Sequence, residues 1–303
     1  MGGFSLALKN VRGETITFTA PYLVQQITGL GIPAVAHASE QYAQQDGETL
    51  RYISLKKRVL TVPFEILSSS ELALWNTKRD LYRFLSAIRS PYTWMATLPD
   101  GAVRYLDTYF SGELSMPFDP AWGPVVHKDV GQWTAYNPTW YDPTTALWAF
   151  AVSGGAGTWG YEATGLGFDA GWGASAADGT PEVFNYPGTW RSYPRITLDG
   201  PMVKPVIDNY TTDETLEFED GYTLDAGEQI TLDLAQGYKT VTHSVDGNIA
   251  DKLTDDSDLA TFHIAEHPDA VNGDNSLGVA FTGGSLASRV HLWVTVRYLA
   301  LHS

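Results

Sequence analysis

The chain has 303 residues, 44% of them hydrophobic, which is enough for two domains or one large β domain with a real core and excludes global disorder. It contains no cysteine, which excludes a disulfide framework, a thiol nucleophile and a cysteine-based zinc site. Residues 1–121 hold 11 basic and 11 acidic side chains and residues 122–303 hold 8 and 24, so the net charge of −16 lies in the second part and argues against nucleic-acid binding there.

The start of the sequence limits where the chain is expected to act. The segment MGGFSLALKN has no basic leader followed by an apolar core, so we expect no signal peptide. No apolar run approaches the ~20 residues that cross a bilayer, and an acidic surface does not bind anionic lipid. The sequence therefore predicts synthesis in the cytoplasm and no membrane partner.

Two hairpins are predicted first. Residues 4–18 alternate apolar with small or polar side chains on both sides of a turn at Gly13. Residues 34–55 are polar overall and are centred on Asp46 and Gly47, a strong hairpin-turn dipeptide. Because a polar hairpin of this length buries little by itself, we expect it to project into solvent or to pair with a neighbouring subunit.

A strand with one buried face follows the second hairpin. Leu60, Val62, Phe64 and Ile66 alternate strictly with other residues, which is typical of a strand that buries one face. Pro63 lies within this strand and has no N–H to donate to a ladder. The sequence therefore predicts an edge or a bulge at Pro63.

One helix is predicted after this strand. Ser68 and Glu71 form a capping-box pattern that opens a helix of about five turns, which Pro91 ends. Residues 92–98 and 102–110 are aromatic-rich and read as strands joined by a tight turn. One stripe of the helix is apolar and is expected to be buried: Leu74, Leu81, Phe84, Leu85 and Ile88.

The composition changes between about residue 119 and residue 190, a segment that holds seven of the ten tryptophans and many glycines without a helix signal. After Trp190 the alternation is clear, and residues 216–218, 230–234 and 290–298 each mark one strand face. Frequent turn signals between them predict a β-sandwich or jelly roll. We expect a mainly β protein with one helix.

Patterns that could carry chemistry stand in the wrong context. Residues 263–267 match H-x-x-E-H, which binds zinc only on a helix, whereas Pro268 follows at once. Residues 155–160 match G-x-G-x-x-G but continue into more glycine and tryptophan instead of a helix. The acidic segments 208–228 and 255–258 lack the spacing of an EF-hand loop. We therefore assign no catalytic, cofactor or metal residue and expect no enzyme.

Aromatic side chains near carboxylates are also the material of sugar-binding sites, because pyranose rings stack on aromatic faces. Six residues are candidates for a glycan or partner contact: Trp133, Trp140, Tyr141, Trp159, Asp169 and Trp172. The competing interpretation places these aromatic rings in the core or in a subunit contact, where such residues are enriched. We favour the core or a subunit contact.

A series of turn and strand motifs runs from Trp190 to Thr261. It reads TWRSYP, PRITLDGP, VIDNYTTDETL, DAGEQITLDL, KTV and SDLATF. GLGIP at residues 29–33, the polar hairpin, the strand from Lys57 and the helix precede it. This order resembles the distal tail proteins of long-tailed, siphovirus-type bacteriophages. Residues 122–189 match the family poorly and look like an insertion or the first strands of the C-terminal domain.

The resemblance implies a fold. Residues 1–121 would form a tail-tube-like β-sandwich, the ring-forming or belt domain, and residues 190–303 a galectin-like or jelly-roll β-sandwich.

The resemblance also implies a role. Copies would form a hexameric ring, a hub at the distal end of the tail tube that links the tube to the baseplate and receptor-binding apparatus. The implied partners are the tail tube protein, the tail-tip hub or tape measure protein, and receptor-binding proteins or side fibres. The protein would belong to the virion and be assembled in the host cytoplasm.

Strand edges in such a protein are expected to be covered by neighbouring copies, because unpaired edges promote aggregation and a closed ring removes them. The candidates for this subunit contact are Asp46, Gly47, Leu60, Val62, Pro63 and Phe64. The alternative function is a carbohydrate-binding adhesion module that recognises host-surface glycans through the Trp-rich C-terminal sandwich.

Overall fold

The computed structural model describes residues 4–43, 46–112, 114, 124–152, 160–162, 167–172, 176–178, 181–267, 269–285 and 287–302. Over these residues the protein is mainly β with one α-helix, as the sequence predicts. The chain forms two compact units, the first comprising Met1–Pro143 with Tyr298–Ser303 and the second Thr144–Arg297. Among the described residues, no helix is both long and apolar enough to cross a membrane.

The first unit consists of two antiparallel sheets, a separate hairpin and the helix. Its elements are β1 Ser5–Lys9, β2 Thr15–Thr17, β3 Tyr22–Val24, β4 Val35–Glu40, β5 Thr49–Leu55, β6 Arg58–Leu67, α1 Glu71–Phe84, β7 Tyr92–Thr97, β8 Val103–Phe110, β9 Val126–Ala135 and the start of β10 Trp140–Val152. One sheet has the order β2-β1-β7-β8 and the other β3-β6-β9, and β8 also pairs with β9. The β4–β5 hairpin confirms the turn predicted at residues 46–47.

An aromatic core fills the first unit. The ring of Trp94 stacks on Phe18 with centroids 5.1 Å apart and meets the edge of Trp133, also at 5.1 Å. A Cβ atom at Gly131 would lie 2.4 Å from the Trp133 indole, so glycine at this position lets the indole lie across β9. Large aromatic side chains therefore supply much of the buried area that holds this unit together.

The helix begins and ends at other residues than the capping pattern indicates. Ser70, not Ser68, is the N-cap, and its hydroxyl accepts a hydrogen bond of 3.2 Å from a backbone N–H of the first turn. The helix ends at Phe84 after about four turns. Ile88, expected in the buried stripe, instead lies in the short 3₁₀ turn Ala87–Arg89 and is exposed.

Arg58, the first residue of β6, joins distant segments of the first unit. Its side chain is almost completely buried, and its guanidinium donates to the carbonyl oxygens of Gly29, Pro138 and Leu299 at 2.6 Å each. It also donates to the carbonyl of Gly31. Burial lowers the pKa of Arg58 to about 10. Four backbone carbonyls thus take the place of water around this charge.

The second unit contains the remaining strands. They are β11 Gly160–Glu162, β12 Gly167–Trp172, β13 Ala176–Asp178, β14 Glu182–Asn185, β15 Arg195–Asp199, β16 Met202–Asn209, β17 Glu214–Glu217, β18 Thr223–Leu224, β19 Gln229–Asp233, β20 Thr240–His243, β21 Gly247–Asn248, β22 Asp274–Thr282 and β23 Arg289–Tyr298. One sheet has the order β23-β15-β19-β20-β21. In the other, β22 pairs with β13 and β14 and with β16, which in turn pairs with β17 and β18.

Cross-strand apolar rows form the core of the second unit. Ile196 of β15 lies opposite Leu232 of β19 and Leu292 of β23, and all three side chains are buried. The alternation predicted after Trp190 therefore marks real buried faces. The segment 122–189 is divided, since β9 pairs within the first unit and β14 pairs with β22 in the second.

Substituting Arg58 tests its role in stability. Arg58→Met should destabilise the protein by at least about 3 kcal/mol, because four backbone carbonyls lose a charged donor that is itself buried. Arg58→Lys should lose less, since an ammonium keeps the charge without the planar fork of donors. Denaturation in urea followed by circular dichroism measures both. The control is Arg51→Met, which removes an exposed ion pair of 2.8 Å with Glu40 and should cost under ~1 kcal/mol. Equal losses at the two arginines would refute the assignment.

Glu182 of β14 makes the stability of the second unit depend on pH. Burial raises the pKa of its carboxyl from the ordinary 4.5 to about 7. The folded state therefore binds the proton more tightly than the unfolded chain. The stability that this protonation contributes is complete below about pH 4.5 and is lost as the pH rises through 7. Glu182→Gln should raise the urea midpoint above neutral pH and change it little in acid. The exposed Glu219→Gln is the control, and identical pH profiles for both variants would contradict this.

Candidate subunit interface

The β4–β5 hairpin is a two-stranded sheet that pairs with no other strand among the described residues. Its register runs from Val35 opposite Leu55 to Glu40 opposite Thr49, with a bulge between. Gly47 in the turn has a φ of +86°, a left-handed backbone conformation that favours glycine. The hairpin root is held by a 2.7 Å hydrogen bond between strand ends, from the N–H of residue 56 to the carbonyl of residue 34.

Both faces of the hairpin expose apolar side chains. Val35, Leu50, Tyr52 and Ile53 are between 41% and 63% exposed. Tyr52 and Ile53 are successive strand residues and therefore point to opposite faces. A two-stranded sheet is marginally stable in water unless it packs against something else. Residues 34–55 are polar overall, but the apolar side chains among them are exposed. The hairpin therefore has the character of a contact surface.

Charged side chains of the hairpin largely interact with one another. The guanidinium of Arg51 forms an ion pair of 2.8 Å with Glu40 and lies 5.4 Å from the ring centroid of Tyr42. The hydroxyl of Ser39 donates to the carboxylate of Glu48. These contacts stiffen the two strands. The positive charge of Arg51, the one Lys or Arg between residues 35 and 55, is neutralised by Glu40.

The strand β6 does not offer the open edge that the sequence predicts. Leu60, Val62 and Phe64 are buried in the core of the first unit. β9 pairs with β6 along its whole length, while β3 and a bridge between Thr28 and Thr61 cover the other edge. These three side chains therefore act in the core and cannot contact a neighbouring subunit.

Pro63 lies at an irregular point of this covered edge, as its missing N–H requires. β3 ends at Val24, which is opposite Phe64, and beyond it the chain leaves the regular ladder. The carbonyl of Pro63 still accepts a 3.3 Å hydrogen bond from the N–H of Gln25. Proline is tolerated here because the neighbouring strand has already ended.

Trp133 and Trp140, two of the residues considered for sugar binding, are at most 2% exposed. Trp133 packs against Trp94 and Phe110, with ring centroids 5.1 Å and 5.3 Å away. A ring in this position cannot stack on a sugar. Both indoles therefore fill the core, as the competing interpretation proposes.

Among the residues that the structure describes, the other candidates for sugar binding are not grouped with Trp133 and Trp140. The Tyr141 hydroxyl donates to the carboxylate of Asp107 at 2.9 Å, and its ring is partly exposed. Asp169 and Trp172 lie in β12, opposite residues of β10. Trp159 lies outside the described residues.

The possible zinc motif is not on a helix. The Nδ1 atom of His263 lies 3.2 Å from the carboxylate of Glu214, and Ile264 forms an isolated β-bridge. Hydrogen bonds from His263 lower the pKa of Glu214 against the opposing effect of burial. Within the described part of the chain, no three His, Asp or Glu side chains are grouped to hold a metal ion. Residues 155–159 of the glycine pattern lie outside that part.

α1 also carries an exposed apolar stripe, which is absent from the contacts expected from the sequence. Leu72, Trp75 and Tyr82 are between 47% and 72% exposed and lie outside the face of the helix that buries Leu74 and Leu81. Their spacing of three and seven residues places them on one face. The same spacing rule that identified the buried stripe therefore identifies this one too. A helix that is apolar on more than one face is normally buried on each of those faces by other parts of the protein or by a partner.

The fold is similar to that of the Dit (gp 19.1) protein of phage SPP1, described as a paradigm of the hub adsorption apparatus in phages that infect Gram-positive bacteria. The two share 15% identity over 98% of this chain and 99% of that chain, with a TM-score of 0.60. Chains from the activated baseplate of phage P2, with Ca and with Sr, are 10% and 11% identical. They cover 99% and 97% of this chain and 100% and 98% of their own, with TM-scores of 0.48 and 0.45.

No protein-family model and no curated protein matches the chain. The similarity to the SPP1 protein extends over nearly the full length of both chains, and it confirms at the level of the fold the resemblance to distal tail proteins that the sequence motifs indicate.

Truncating Trp133 distinguishes a core residue from a sugar-binding residue. Trp133→Ala should destabilise the protein by about 3–5 kcal/mol, because a buried indole is replaced by a cavity. The exposed Tyr136→Ala, a matched aromatic truncation near β9, should cost under ~1 kcal/mol. Thermal and urea denaturation measure the difference. A Trp133→Ala variant of unchanged stability would contradict the core assignment.

Proposed function

We propose that this protein is a structural subunit of a bacteriophage tail. Copies form a ring-shaped hub at the distal end of the tail tube, which links the tube to the baseplate and receptor-binding apparatus. The observation that carries the proposal is the fold, since 98% of the chain follows a protein that is described as a hub of an adsorption apparatus. The role is structural and not catalytic.

The exposed hairpin supports self-assembly. Its apolar side chains on both faces have no covering partner strand among the described residues, and burying such surface in a contact is favourable by about 25 cal/mol per Å². A cyclic arrangement satisfies the same need in every copy. We propose a homo-oligomer, a hexameric ring, in which residues 46 and 47 lie at or near the contact. The equal numbers of basic and acidic side chains in residues 1–121 avoid repulsion between neighbouring copies.

The partners follow from this position in the tail. The ring would bind the tail tube protein and the tail-tip hub or tape measure protein, and it would carry receptor-binding proteins or side fibres. The excess of acidic side chains in residues 122–303, 24 against 8 basic ones, favours solvent exposure of that part and opposes nucleic-acid binding. The protein is then a component of the virion, assembled in the host cytoplasm.

Mass measurement tests the ring. Light scattering on the purified protein should give about six times the monomer mass of 33.2 kDa, and negative-stain microscopy should show annuli. Both follow from closed cyclic symmetry, which fixes the copy number. A particle that stays at 33.2 kDa up to high concentration would overturn the proposal.

Removing the exposed apolar side chains of the hairpin should weaken assembly without unfolding a copy. In the double variant Tyr52→Ser and Ile53→Ser, two side chains of ~1–2 kcal/mol each leave the contact, so the association constant should fall at least about tenfold. Light scattering over a dilution series measures it, with circular dichroism as the check on folding. Tyr238→Ser with Val245→Ser, at even more exposed positions of the second unit, is the control. Equal effects of both double variants would exclude a specific role for the hairpin.

A further inference from the structure

We infer that the outer face of α1 in one copy receives the β4–β5 hairpin of the next copy. The inference rests on the proposed function, because it requires copies that assemble, and it adds the identity of the receiving surface. The contact is then heterologous, joining two different surfaces instead of one surface to itself. A contact of this kind generates a ring when the rotation between copies closes.

The outer face of α1 offers an apolar stripe of suitable composition. Leu72, Trp75 and Tyr82 lie on it, with Arg79 between the two aromatic residues. Trp, Tyr and Arg are the residue types that contribute most of the energy at the centre of protein contacts. A helix of 14 residues is about 21 Å long, which matches the length of a strand of six or seven residues.

The charges of the two surfaces are complementary. α1 carries Lys78, Arg79 and Arg83 against Glu71 and Asp80, an excess of one positive charge, and Arg83 lies 3.8 Å from Asp80. The ammonium of Lys78 lies 5.3 Å from the ring centroid of Trp75 and is attracted by Asp129. Arg79 is therefore the basic side chain that the stripe offers to an acidic partner. The hairpin tip carries Asp46 and Glu48. Because Arg51 is already paired with Glu40, the net charge of the tip is negative. Complementary charges orient two copies and speed their encounter.

A groove in the first unit is the main competing receptor for the hairpin. Its volume is about 690 Å³, and Leu6, Val24, Ile27, Leu30 and Met95 line it. The groove has no charged lining residue and so offers no counterpart to the acidic tip of the hairpin. The stripe on α1 combines an apolar surface with the positive charge of Arg79, and we therefore assign the hairpin to the helix.

Cross-linking tests this assignment directly, because the chain has no native cysteine. One pool carries His37→Cys in the hairpin and a second carries Asn76→Cys beside the helical stripe, both at exposed positions. Mixed after dissociation and reassembly, the pools should give a covalent dimer with a short bismaleimide linker. Neither pool alone should give it, since the two surfaces differ. A chain with both cysteines should give a ladder that ends at the copy number of the ring.

The controls separate failure of this inference from failure of the proposed function. Thr97→Cys, in the groove, and Val245→Cys, in the second unit, replace Asn76→Cys in parallel mixtures. Cross-linking of His37→Cys to Thr97→Cys but not to Asn76→Cys would move the contact to the groove and overturn the inference. Cross-linking within the His37→Cys pool alone would do the same, by showing hairpins face to face. If light scattering shows that the protein remains monomeric, the result contradicts the proposed function as well.

Charge reversal provides a second test that leaves the apolar surfaces unchanged. Asp46→Lys with Glu48→Lys, and separately Arg79→Glu with Arg83→Glu, should each weaken assembly at least about tenfold at low salt. Combining all four reversals in one chain should restore most of the lost affinity. Absence of this rescue, in variants that circular dichroism shows to be folded, refutes the pairing of hairpin and helix.

Discussion

The first unit depends on the buried charge of Arg58. A guanidinium removed from water is costly unless every donor finds an acceptor, and here the acceptors are backbone carbonyls from separate loops. Two of these carbonyls, at Gly29 and Gly31, lie just before the hairpin, and Arg58 itself lies just after it. The charge thus fixes both ends of the segment that the hairpin projects from. The direction of the proposed contact surface is set by a residue that never reaches that surface.

Stability and assembly are therefore divided between different parts of the same unit. The aromatic core, with Trp94 and Trp133 in edge contact, is buried by residues of the unit itself. The hairpin and the outer face of α1 leave apolar side chains exposed, which a second copy can bury. If copies associate through these surfaces, as proposed, association would add to the stability of the folded state as the protein concentration rises.

Structural elements that depend on local patterns could be predicted from the sequence. Features that depend on contacts between residues far apart in the chain could not. Alternation identified the buried face of β6, but whether its edges were open depended on β9, which begins 59 positions after β6 ends. Ser68 matched a capping box, yet the hydroxyl of Ser70 is the one that accepts the hydrogen bond of the first turn. The role of Arg58 left no trace in the sequence, since its acceptors are carbonyls that every residue carries.

The hydrogen bond from Arg58 to the carbonyl of Leu299 spans 241 positions of the chain. A second bond, 3.2 Å from the N–H of Leu301 to the carbonyl of Leu30, joins the same two regions. During translation, the first unit therefore has all its core strands long before it has all its acceptors. Domains usually complete folding in the order in which they leave the ribosome, from the N-terminus onward. Here three acceptors of Arg58 are present once residue 138 has been synthesised, but the fourth, the carbonyl of Leu299, follows only after residues 144–297.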